Sequence, residues 1–494
     1  MAEILRSDKL PPSGLDPLRD HWTYCGLDSC LTVEIFDHLF PMLDNQTGAI
    51  YDFVKSLQKP ALAMMTRGVL VDQAEKSGAE ADLGDELTRL RTYLDRIAEA
   101  VWGKPLNAQS PLQLREFFYG VMKIPEITFR GKVTVGKEAL EKLDQYFWAS
   151  FFTRTITAIR DKAKLLSALR SGVDADGRMR TSYLLCGTTT GRWASRENVF
   201  GRGTNMQNLT ERIRSIFIAD PGKKFAYVDL QQAEARAVAY LAGDDELINA
   251  CNSSDLHTAI AKLCFPMLPW VSDPKINRKI AERPYFAQFS YRDMAKRAAH
   301  GTNYGARDFT IARHLKISLE IAQQFQRAYF KAFPKVREWQ LKTAATLQTT
   351  GILTTPFGRK RVFFSRLDDD STVREAIAFV PQSLVADLLN AGMLRVFDTI
   401  PEIELLLQVH DAILVQYDEA REDEILSRII SALPMAIDVN GRTLKIPCDA
   451  MVGWNWGKYN DDPKKGPVNM NGLRGGKDDR KRQEARSLLD RLIS

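Results

Sequence analysis

KKFAYVDLQQAEARAVAYLAGD, Lys223 to Asp244, is the stretch on which the fold turns. Its first eight residues are aromatic, β-branched and apolar without a helical repeat, and read as a short buried strand; the Ala-rich remainder reads as the helix it feeds. Asp229 therefore lies at the end of a buried strand. Taken alone, such an Asp is most simply a cap or turn residue.

A second stretch changes its weight. IELLLQVHDAILVQY, Ile403 to Tyr417, reads as two apolar strands meeting at His410 and Asp411, a hairpin with polar groups at its tip. If this hairpin neighbours the Asp229 strand in one sheet, two carboxylates distant in sequence could share a pair of divalent cations. Two-metal phosphoryl chemistry needs such oxygen ligands, with ions about 3.5–4 Å apart that activate one oxygen and neutralise another.

The third stretch is RDMAKRAAHGTNYGA, Arg292 to Ala306. Arg292, Lys296, His300 and Tyr304 recur every fourth residue, so a helix stacks them in one stripe of two cations and two rings. Arg292 as a planar fork and Lys296 as a point charge suit a triphosphate, and the rings suit its sugar and base. Gly301 and Gly305 are expected to permit close approach of another group.

The 494 residues suit roughly three domains on the usual length prior. Lys and Arg number 68 against 62 Asp and Glu, a formal +6 compatible with a polyanionic partner, and 45% hydrophobic residues is ordinary globular composition. Cys25, Cys30, Cys186, Cys251, Cys264 and Cys448 are scattered, which argues against a zinc site or disulfide framework. Reduced thiols, the absence of an export signal and of an apolar run long enough to span a bilayer lead us to expect a cytoplasmic protein, in a bacterial host cell if phage-encoded. Residues 51–170 read as mostly helical, with ADLGDELTRLRTYLDRIAEAVW a long amphipathic candidate, and 255–357 read as helical again.

In order, VDLQQAEAR, RDMAKRAAHGTNYG and QVHDA resemble the motifs of the DNA polymerase I family, family A, and the resemblance covers about residues 51–459. TTTGRWAS with NMQNL, SSDLHTAIA, TPFGRKR and REAIAFVPQSLVADLL resemble further family elements, and MTRGVLVD, LNAQSPLQL and KVTVGKEAL resemble its thumb. The resemblance implies an α+β multidomain right-hand polymerase, with an antiparallel palm sheet and helical fingers and thumb. It divides the chain into the end of a 3'-5' exonuclease domain (1–45), thumb with adjoining palm (46–185), palm with the first metal motif (186–255), fingers (256–365), palm with the second metal motif (366–460) and a polar basic tail (461–494). It implies dNTP addition to a primer 3'-OH in phage or bacterial replication.

Carried over by motif, Asp229, Asp411 and Lys296 are the catalytic set, and Asp229, Asp411 and the Leu230 carbonyl bind two Mg2+, for which Mn2+ can substitute. Gln232, Glu234, His257, Arg292, Lys296, His300 and Tyr304 surround the dNTP, with Glu234 as the steric gate against a ribose 2'-OH. Arg192, Gln207, Asn208, Arg374, Gln382 and His410 contact primer-template DNA. The chain departs from the family at His300, where Phe or Tyr is usual and some phage-type members are similar, at Ala412, where Glu is common, and at Ala378, often Asn.

Tyr24 and Asp28 in YCGLD fit the last exonuclease motif, but the upstream exonuclease motifs have no room in the preceding residues. The rest of that domain is either absent or supplied by a second polypeptide, so the expected partners are primer-template DNA, dNTPs and, on the second alternative, a separate exonuclease subunit, or else a processivity factor. The C-terminal RQEARSLLDRLIS reads as a helix candidate in a solvated tail. Two competing readings are a single-subunit RNA polymerase, against which Glu234 and NMQNL argue, and a catalytically silent DNA-binding accessory, which would need neither aspartate.

Overall fold

The computed structural model describes residues 17–129, 131–198, 200–286, 289–463 and 468–475. Strand Lys223–Leu230 is central in a five-stranded antiparallel sheet, with the hairpin Glu404–Val409 and Ala412–Asp418 on one side and Cys448–Gly453 then Arg474–Gly475 on the other. In this register Ala412, Asp229 and Asp449 stand side by side.

The central strand lacks polar alternation because both faces of the sheet are covered. Ala226, Val228, Ile413 and Val415 pack into one core with Leu384, Leu388 and Ile425. Phe225, Leu407 and Leu414 belong to a second core with Phe117, Phe152 and Ile156. The long helix Asp370–Thr399 supplies the first core, and its middle, from Val380 to Asn390, is buried on nearly every side. Among the described residues it is the helix long and apolar enough to cross a membrane, and 78% of its apolar window is buried in the protein.

The second core is closed by helices Gln73–Trp102 and Phe147–Leu169. Asp72 starts the former by accepting from the N–H groups of Ala74 and Glu75 at 2.9 and 3.1 Å, and Leu83, Leu87, Leu94 and Ala98 form its buried stripe. A third core, with Leu256, Ile260, Ala295, Ala298, Phe325 and Tyr329, unites the helices of residues 245–350.

Two expectations need revision. The region read as a tail from 461 onward contributes Arg474–Gly475 to the sheet, and Trp454 and Asn455 donate to the Asn471 carbonyl at 2.8 and 3.0 Å. Backbone pairing recruits this polar segment, and pairing leaves no hydropathy signature. A small hairpin, Pro284–Phe286 with Phe289–Ser290, interrupts the region read as helical. The RQEARSLLDRLIS segment lies outside the described residues.

Helix Pro17–Leu39 follows the apolar spacing of the sequence but leaves Trp22, Val33, Ile35 and Phe36 exposed. All six cysteines are free.

Candidate nucleotidyl-transfer site

Where the Asp229 strand meets the hairpin tip, the Leu230 N–H donates to the Asp411 carbonyl at 3.0 Å. His410, at the hairpin tip, takes φ 57°, and its carbonyl is held by the Gln408 side chain at 3.0 Å. The turn thereby sets Asp411 beside Asp229. Burial, then the charges of Asp411 and Asp449, push the Asp229 carboxyl up to about 7. Burial and the Glu234 carboxylate push Asp411 up as well.

Neither half-buried carboxylate is in an ion pair among the described residues, and their oxygen donor set fits a hard divalent cation. Among the described residues no three His, Cys, Asp or Glu side chains converge on one point as a complete cage. Magnesium ions are commonly held by one or two carboxylates and completed by substrate phosphates, so Asp229 and Asp411 suit that role. Leu230 is buried between the strands, paired with Cys448.

Helix Tyr291–Asn303 faces this pair. A capping box starts it, the Ser290 hydroxyl accepting from the Asp293 N–H at 3.0 Å while the Asp293 carboxylate accepts from the Ser290 N–H at 3.3 Å. Arg292, Lys296 and His300 lie on one stripe as expected, but Tyr304 is the C-cap, with φ −94° and ψ 18°. Gly305 follows at φ 71° and ends the helix, where a side chain would be strained and would crowd Ile377. Gly301 has only ordinary contacts around an added Cβ, so the close-approach reading holds for Gly305 and not for Gly301.

A cavity of about 270 Å³ lies between this helix, the helices Ala233–Ala242 and Leu256–Cys264, and the hairpin tip, lined by Gln232, Glu234, His257, Lys296, His300, Tyr304 and Asp411. Glu234 is its hub. Its carboxylate accepts from the Tyr304 hydroxyl and from Arg192, and the His300 Nδ1 lies 3.9 Å away. Burial and the Glu234 charge push the Tyr304 hydroxyl well above its usual range. His300 is exposed and sets its ring edge-on to Tyr304, centroids 5.0 Å apart.

Arg292 is engaged by a residue the motif reading had not assigned to the site. Asp255 takes it in a two-pronged bond at 2.9 and 3.1 Å while capping the helix that bears His257. Against the upward push of burial, Arg292 holds Asp255 down to about 2. Burial, then Arg292, lower His257 to about 4, and its buried Nδ1 has no hydrogen-bond partner. The Gln232 Oε1 is likewise buried and unpartnered, on a residue with φ 53°. Lys296 is exposed on the cavity wall.

The DNA-contact candidates divide. Arg192 joins the cavity through Glu234, Gln382 lies beside the Tyr304 hydroxyl, and His410 and Asn208 are exposed. Arg374 instead lines a separate cavity of about 780 Å³ behind Gly305, with Arg307, Arg327 and Arg337. Gln207 is buried, donating to the Gln408 side chain at 2.7 Å, so its amide props the hairpin from beneath. Tyr24 is half-buried and Asp28 exposed on their helix.

Asp449 was also missed. Its strand, CDAMVG, carries no alternation that would single out its Asp, and only the cross-strand register aligns it with Asp229.

An antiparallel sheet with two aspartates at one end, beside a cavity walled by a cationic helix, is the arrangement of a right-hand polymerase. The structure is similar to the POL domain of Pol1 from M. smegmatis in complex with DNA primer-template and dNTP, with a TM-score of 0.66 and 24% identity, covering 81% of this chain and 69% of that one. The profile of DNA polymerase family A matches residues 77–458, and the chain belongs to that family. It is 30% identical over 446 residues to a thermostable DNA polymerase I of Thermus filiformis, covering 86% of this chain and 50% of that protein. It is 28% identical over 474 residues to DNA polymerase I of Chloroflexus aurantiacus, covering 89% and 47%. The chain thus spans about half the length of these curated relatives.

Proposed function

We propose that the protein is a template-directed DNA polymerase that extends a primer 3'-OH with dNMPs, acting in phage or bacterial DNA replication. The observation that carries this reading is the Asp229 and Asp411 pair, bridged by the Leu230 N–H, of which Asp411 lines a cavity shared with Lys296 and His257. In this reading residues 186–255 and 366–460 are palm, 256–365 fingers and 46–185 thumb with adjoining palm.

Two Mg2+, or Mn2+ in their place, would be held by Asp229, Asp411 and the Leu230 carbonyl, supplying Lewis-acid activation of the attacking oxygen and charge neutralisation on the phosphates. The chain's own residues do the rest. Lys296 and Arg292 receive the triphosphate, Arg292 exchanging Asp255 for phosphate oxygens, and stabilise the charge that grows on the departing pyrophosphate. His257, its ring held neutral by burial, lines the cavity where the triphosphate would lie. Glu234, fixed from two sides by Tyr304 and Arg192, bars the space a 2'-OH would need. Arg192, Asn208, Gln382 and His410 meet the primer-template, Arg374 the template from its own cavity, and Gln207 supports the hairpin.

Extension of a labelled primer with dNTPs or rNTPs tests the reading. The wild-type protein is expected to use dNTPs, and Asp229→Asn and Asp411→Asn to lose extension while still binding DNA. Extension that survives both substitutions would remove the two-aspartate mechanism.

A further inference from the structure

Beyond strand Ala194–Arg196 the chain turns through a loop that holds one aromatic ring in solvent, Phe200, 83% exposed. A lone exposed apolar side chain is ordinary, but this one is held by a firm scaffold. The Asn198 Oδ1 accepts from the N–H groups of Phe200 and Arg202 at 2.9 and 3.0 Å, and the Asn198 N–H donates to the Arg202 carbonyl at 2.8 Å. Gly203, at φ 82°, passes so close to the Arg180 carbonyl that an added Cβ would lie 2.0 Å from it. Arg202 is tied to Asp174 at 3.0 Å.

The base of the loop is continuous with the site. The buried Ser195 hydroxyl donates to Asn205 at 2.8 Å and accepts from the Gln207 N–H at 3.2 Å, and Gln207 is bonded to Gln408 on the hairpin that ends in Asp411. Arg192, on the same segment as Arg196, reaches Glu234. The loop is also cationic. Arg196 is exposed with no ion pair among the described residues, Arg202 is 63% exposed, and Glu197 is the carboxylate between them. A convex tip with a ring and guanidinium groups fits a groove lined by phosphates, and the minor groove of a duplex, about 6 Å wide, admits such a ring edge.

We propose that Phe200 and Arg196 grip the DNA duplex behind the primer terminus, the ring against the minor groove and the guanidinium on a backbone phosphate. This rests on the primer-template reading above.

The test is binding of a fluorescent primer-template by the full chain across a salt series, with Phe200→Ala, Phe200→Trp and Arg196→Gln. Phe200→Ala is expected to weaken binding about fivefold or more, the lower end of the effect of an aromatic contact to nucleic acid, with an unchanged salt dependence. Phe200→Trp is expected to restore it. Arg196→Gln is expected to lower the slope of log K against log salt by about one. A wild-type protein that does not bind primer-template would overturn the polymerase reading. Normal wild-type binding left unchanged by Phe200→Ala and Arg196→Gln would overturn the grip alone.

Discussion

Glu234 gathers Arg192, His300 and Tyr304 around one carboxylate, so its removal frees three side chains at once. In the polymerase reading, Glu234→Ala should admit rNTPs, measured as a fall in the dNTP-to-rNTP ratio of kcat/KM by about tenfold or more, equivalent to about 1.4 kcal/mol. The same variant should bring the Tyr304 hydroxyl down toward its ordinary range, since a neighbouring negative charge is gone while the burial persists. Arg292→Lys replaces a planar fork with a point charge. It loses the two-pronged bond to Asp255 and should raise the KM for dNTP by about tenfold, a charge-assisted pair being worth about that much. An unchanged KM would mean that Arg292 serves only to brace the Asp255 cap.

At the scale of elements, helix Tyr291–Asn303 is defined by its two ends. Ser290→Ala removes the cap and should cost about 1 kcal/mol, visible as faster amide exchange in the first turn. Gly305→Ala forces a left-handed residue and should cost roughly 1–2 kcal/mol, read as a lowered Tm. The polar stripe of this helix was legible because i to i+4 spacing is a local property. Its end was not: Tyr304 continues the spacing numerically but leaves the helix at the cap. The central strand and the hairpin were equally legible, each being a run of apolar residues with a polar end. Asp449, the Asp255 clamp and the inward turn of Gln207 were hidden, because each depends on which distant segment lies alongside.

For the whole molecule, the buried site makes stability depend on pH in two opposing ways. Asp229 is raised from 3.8 to about 7, so between roughly pH 4 and 7 the folded chain binds more protons than the unfolded one. That contribution is present at low pH and lost as pH rises. His257, lowered from 6.5 to about 4, acts in the other direction, and its contribution is lost as pH falls from about 6.5 to 4. In chelator, urea melts should show Asp229→Asn gaining stability over wild type as pH rises from 5 to 8. Added Mg2+ should raise the wild-type Tm more at pH 8 than at pH 5, and much less in Asp229→Asn.

The central strand ends at Leu230, while both strands that flank it come later, from Ala412 and from Cys448 onward. On a ribosome adding about 5–20 residues per second, that strand would emerge roughly 10–40 s before its first neighbour. For that interval the nascent chain carries an apolar strand with two open edges, a template for pairing with other chains. Slow codons between the two segments would lengthen the exposure, and chaperones that shield extended apolar segments would improve the yield of active protein.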